Sequence, residues 1–161
     1  MAISWVLMSV YGCQQPVKPY QDVFNDPILY AVTVKELNNV VKQNNFPPII
    51  ASRNYAYANI AAYEVMVKGQ TTYGSLAGRI KHLEAIPAYD TSHVNFHYAS
   101  LLAFCKVGQA VTFPEGSMKE YVARLDSMAV ASGMPEDMQQ KSKTLADSVG
   151  NFILRWSKKD N

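Results

Sequence analysis

Along residues 47 to 69, PPIIASRNYAYANIAAYEVMVKG, apolar side chains fall on almost every side of a helical wheel. A helix that is apolar nearly all round has to be enclosed by other elements. Ala51, Ala56, Ala58, Ala61 and Ala62 permit close approach of neighbouring helices, while Ile49, Ile50, Tyr55, Tyr57, Ile60, Tyr63, Val65 and Met66 supply area to bury. The pattern predicts an all-α protein, a bundle of about five substantial helices around this buried central one, running from Pro47 to Gly69.

The flanking segments carry helical punctuation. Asp26 followed by Pro27 is an N-cap and first-turn signal, and Ile28, Ala31, Val34 and Leu37 keep helical spacing as far as about Asn44. The stretch QTTYGSLAGRIKHLEAIPAYD is less regular, with Leu76, Ile80 and Leu83 hinting at two turns of helix. Asp90 or Thr91 is expected to cap a helix reaching about Val111, with Val94, Tyr98, Leu101, Leu102 and Cys105 on one face. Ser117 and Glu120 form a capping box ahead of Tyr121, Val122, Leu125, Met128 and Ala129, and Gly133 is the stop signal. Pro135 opens a last helix whose stripe is Met138, Ser142, Leu145, Val149, Phe152, Ile153 and Trp156.

Composition agrees with a packed domain. A chain of 161 residues suits one domain that buries roughly 70% of its unfolded surface. With 48% hydrophobic and 17% charged residues, it argues against disorder. The net charge of +2 is scattered, and the densest basic cluster is Arg155, Lys158 and Lys159 at the end of the chain. That is too little for a surface that tracks phosphates, so no nucleic-acid partner is expected.

At the other end, MAISWVLMSVYGCQQP has an apolar run from Ala2 to Val10, then small and turn residues, then Cys13. It resembles a bacterial lipoprotein signal. On that reading residues 1–13 are the signal, Cys13 carries the lipid, residues 14–26 tether the protein and residues 27–161 form the helical domain. The partner is then a membrane reached through a lipid anchor, and the location is the bacterial cell envelope, in the periplasm. The other cysteine, Cys105, lies among Leu101, Leu102 and Phe104 and reads as a small buried hydrophobe.

Three features could carry chemistry. His93 and His97, four residues apart on one expected helix, would present two imidazoles on one side and are weak candidates for a metal pair; the glutamate of a zinc-protease motif is missing. Arg53 and Glu64 are charges in an apolar helix, and eleven residues at about 100° each return to nearly one face. Buried charges need partners, so both are structural polar candidates meeting neighbouring helices. The tyrosines and phenylalanines fall on the helical stripes and are core residues first. There is no Gly-rich phosphate loop, nucleophile elbow or zinc-finger cluster, so spacing alone assigns no catalytic residue and no metal.

The segment ASRNYAYANIAAYEVM resembles the signature helix of the vanadium-dependent haloperoxidase and type 2 phosphatidic acid phosphatase superfamily, in its bacterial secreted or lipid-anchored branch. Two later segments follow in order: HYASLLAFCKVGQAVTFPE resembles the family's Ala-rich helix ending in Phe-Pro, and GMPEDMQQKSKTLADSVGNFILRWSKKDN its segment closing on Trp and Asp. The likeness runs from about Pro27 to Asn161. It implies an oxyanion site, holding vanadate in peroxidases and phosphate in phosphatases, built from a Lys separated by six residues from Arg-Pro, then Pro-Ser-Gly-His, then Ser-Arg with a following His. None of these strings occurs here; Ser52-Arg53 lies upstream in the wrong helix, without a His five residues on. No family residue is therefore carried over as catalytic.

The resemblance makes this chain the N-terminal helical half of such an enzyme, with a C-terminal catalytic half as its missing partner. The full-length protein would hydrolyse phosphate esters, or oxidise halide with peroxide on a vanadate cofactor. The competing expectation is a non-catalytic, lipid-anchored helical binding module.

Overall fold

The computed structural model describes residues 18–114 and 116–159. The lipidation candidate Cys13 lies outside them. The described residues form six helices: α1 (Tyr20–Phe24), α2 (Pro27–Gln43), α3 (Pro48–Met66), α4 (Phe96–Val111), α5 (Lys119–Ala131) and α6 (Glu136–Ser157), with a 3-10 turn, Val67–Gly69, extending α3. There is no strand among the described residues, and five of the helices are substantial, as the hydrophobic pattern predicts.

Helix α2 begins where expected. Asp26 accepts the Ile28 amide at 2.9 Å and Pro27 occupies the first turn. The end of α5 is equally local in origin: Gly133 takes φ +76, and the amides of Gly133 and Met134 bond back to Val130 and Ala129. This is the double closure that a left-handed residue after a helix allows.

The centre is α4 rather than α3. Ten of the 16 residues of α4 are buried, against eight of 19 in α3, and α4 packs most extensively on α3 and α6. The two are antiparallel: the Asn54 amide donates to the Val111 carbonyl at 2.7 Å near one end, and Gly69 lies against the Phe96 ring near the other. Because α4 stops at Val111, the first turn of α3 is covered on its Ala51 side only. Ile49 is 85% exposed and Ile50 49%. The expectation that the helix from Pro47 to Gly69 is enclosed on all sides is therefore corrected: its Ala58, Ala61, Ala62 and Val65 face is dry, whereas Ser52, Ala56 and Asn59 face outward.

Other starts differ from the pattern. Asp90 or Thr91 does not begin α4. Asp90 caps only the Ser92 amide, His93 turns through φ +55, and Asn95 caps α4 by accepting the Tyr98 amide. The Ser117 and Glu120 capping box does not form either. Gly116 at φ +80 sets a turn in which backbone carbonyls take the amides of Ser117 and Lys119, and α5 opens without a side-chain cap. Residues 70 to 95 hold only turns where two helical turns were expected, although Leu83 is buried. Within the segment expected as tether, α1 forms and buries Phe24 against Tyr98, with ring centroids 5.0 Å apart.

Candidate functional site

The best-formed concavity lies between the α1–α2 corner, α3 and α4. Its volume is about 480 Å³ and it is lined by Phe24, Tyr30, Ala62, Met66 and Leu101, with Asn25, Asp26, Asn59, His97 and Ser100 among its polar members. The Tyr30 hydroxyl donates to Asn59 Oδ1 at 2.8 Å, and burial pushes its pKa up to about 12. His97 stands at the mouth, where burial lowers its pKa and leaves a neutral imidazole at neutral pH. Three separate segments build this cleft. No local motif marks it, which is why sequence reasoning missed all of it except His97.

The sequence-derived candidates are not brought together. His93 precedes α4 and His97 sits in its first turn, so the i, i+4 geometry of one helix is absent. His93 instead pairs through Nδ1 with Asp137 at 3.0 Å on the surface. Hydrogen bonds from Ser92, together with Lys141, hold the neighbouring Asp90 down to about 2. Among the described residues no cluster of three His, Cys, Asp or Glu side chains could hold a metal ion.

Glu64 and Arg53 also part company. Glu64 is only 1% exposed; its carboxylate accepts the Ser75 hydroxyl at 2.9 Å and the Leu76 amide at 2.7 Å. It thereby ties the irregular segment 70 to 95 to α3. Arg53, expected to be buried, is exposed on the first turns of α3, where its Nε donates to the Tyr57 hydroxyl. The near coincidence on a helical wheel ignores the rise along the axis. Eleven residues at about 1.5 Å each separate the two by roughly 16 Å, enough for one to be under the irregular segment and the other beyond the end of α4.

Cys105 is fully buried. Burial, and then the charge of Glu36, push its thiol well above the usual range, so it is a packed hydrophobe and not a nucleophile. A polar cluster that sequence reasoning did not find joins three helices: the buried Tyr98 hydroxyl donates to Asp126, whose other oxygen receives Lys143 Nζ at 2.8 Å. The only local signal was Asp126 beside the core position Leu125. Thr33 and Tyr121 share a further buried hydrogen bond of 2.7 Å between α2 and α5.

Vanadate or phosphate would need several convergent cationic donors and a histidine. Arg53, Arg79, Arg124 and Arg155 are all exposed, and they stand on α3, the irregular segment, α5 and α6. His82, His93 and His97 are dispersed likewise. The described residues do not fit such an oxyanion.

No protein-family model matches the chain, and no curated protein matches it. A solved structure that does match is that of the first bacterial vanadium-dependent iodoperoxidase, at 29% sequence identity and a TM-score of 0.74. The match covers 81% of this chain and 32% of that one, so the chain spans less than two thirds of the iodoperoxidase. The helical fold and this likeness agree with the signature segments and support the resemblance to the superfamily of vanadium-dependent haloperoxidases and type 2 phosphatidic acid phosphatases.

Proposed function

We propose that this helical body is the N-terminal structural half of a haloperoxidase-like or phosphatase-like enzyme, buttressing a catalytic half that carries the oxyanion site. The observation that carries the reading is the asymmetry of coverage: most of this chain matches a vanadium-dependent iodoperoxidase, yet it accounts for only 32% of that protein. The absence from residues 1–161 of the Arg-Pro, Pro-Ser-Gly-His and Ser-Arg plus His strings supports it. So do the exposed apolar side chains Ile49, Ile50 and Phe113 near one end of the α3–α4 pair, since an apolar patch of that kind fits contact with a further protein surface. In the whole protein, vanadate would be held by that second half. The reaction would be peroxide-dependent halide oxidation or phosphate ester hydrolysis, with charge stabilised by Lys and Arg. A lipid on Cys13 would attach the assembly to a membrane on the periplasmic side of the bacterial envelope.

The test has two arms. The 161-residue chain is assayed for iodide oxidation with vanadate and peroxide, and for hydrolysis of an aryl phosphate; no turnover is expected from either. The native polypeptide is then weighed after capture with an antibody to α6. A heavier species containing the missing strings supports the reading. Turnover by the chain itself overturns it, and a native species of this chain's own mass supports the lipid-anchored binding module instead.

A further inference from the structure

The cleft beside α2 has a one-sided electrostatic character. Among the described residues no lysine or arginine lines it, and Asp26 is the single formally charged side chain on its wall. Asp26 spends Oδ1 on the α2 cap and sits exposed at the rim, so its second oxygen faces no competing cation from the cleft wall. Phe24, Tyr30 and Tyr63 also line the cleft, and aromatic rings are favourable neighbours for a cation. His97, kept uncharged by its lowered pKa, adds no repulsion at neutral pH. Apart from the uncharged polar side chains Asn25, Asn59 and Ser100, the remaining wall, with Ala62, Met66 and Leu101, is apolar. The volume of about 480 Å³ falls within the range of small-molecule sites, roughly 300–1,000 Å³.

We infer that the cleft binds a small organic cation, an ammonium group on a short apolar body, with the ammonium beside Asp26 and the body against Tyr30, Met66 and Leu101. Charge complementarity selects this occupant. An anion would enter beside a carboxylate with no basic side chain to offset it, and a neutral amphiphile would gain burial but nothing from Asp26.

The test uses three probes of one chain length, hexylammonium, hexanol and hexanoate, titrated into the full chain and followed by the methyl resonances of Met66 and Leu101. Hexylammonium should bind most tightly and hexanoate most weakly, with the shifts confined to the cleft. Asp26→Asn keeps an N-cap acceptor for α2 and so preserves the fold. It should weaken hexylammonium about two- to fivefold, the range of an exposed charge pair, and leave hexanol unchanged. Equal binding of hexanol or hexanoate, shifts outside the cleft, or an Asp26→Asn variant that binds hexylammonium as well as the parent would each overturn the inference.

Discussion

Glu64 offers the sharpest energetic test of the fold. Its carboxylate is buried and accepts two hydrogen bonds from the irregular segment, the Leu76 amide at 2.7 Å and the Ser75 hydroxyl at 2.9 Å. A hydrogen bond to a charged group contributes about 1.5–3 kcal/mol. The Leu76 amide, left inside without an acceptor, would incur most of that loss; Ser75 is exposed, so its hydroxyl can turn to water and adds less. Glu64→Ala should therefore destabilise the protein by about 2–4 kcal/mol, a large share of the roughly 5–15 kcal/mol typical of a domain. Glu64→Gln keeps the shape, one acceptor for Leu76 and a donor that the Ser75 oxygen can receive, so it should stay within about 1 kcal/mol of the parent. Urea unfolding followed by helical circular dichroism gives both values. Trp156, whose indole donates to the Lys81 carbonyl at 3.1 Å, reports the irregular segment by fluorescence in a Trp5→Phe background. Equal stability of the Ala and Gln variants would refute the argument that these two bonds anchor residues 70 to 95.

Three further outcomes are expected. Gly69→Ala would place a methyl group 2.5 Å from the Phe96 ring and should destabilise by about 1–3 kcal/mol, the range for overpacking, measured by thermal or urea unfolding. Tyr98→Phe removes the donor to Asp126 and should lower stability by about 1–2 kcal/mol; in a double-mutant cycle with Asp126→Ala the two losses should not add. Burial lowers the pKa of His97 from its usual 6.5, so between the folded and unfolded pKa values the unfolded chain binds the proton more readily. The associated stability is present above about 6.5 and declines as pH falls through that value toward the lower folded pKa. His97→Gln should flatten this decline in urea midpoints compared between about pH 7.5 and pH 5.5, and an unchanged slope would contradict the assignment.

Helix identity in this chain is a local property. Asp26-Pro27 before α2, Gly133 after α5 and the stripe ending in Trp156 on α6 act through dihedral preference and spacing within a few residues, and these elements form where the pattern predicts. The superfamily resemblance likewise lay in contiguous segments. Where a start depended on choosing among several capping residues, the choice went to the partner that packing supplied. Asn95 rather than Asp90 caps α4, with its own amide held by Ser142 Oγ of α6 at 3.0 Å.

Sequence alone determined the all-α class, the identities of most helices, the inert burial of Cys105 and the lack of an oxyanion-binding string. Only the tertiary structure decided that α4 and not α3 is central, that Glu64 is buried while Arg53 is exposed, and that Phe24, Asp26, Tyr30, Met66 and His97 meet around one cleft. The reason is geometric. A helical wheel records direction around an axis but neither height along it nor where a neighbouring helix ends, and both are needed to say which apolar faces are covered.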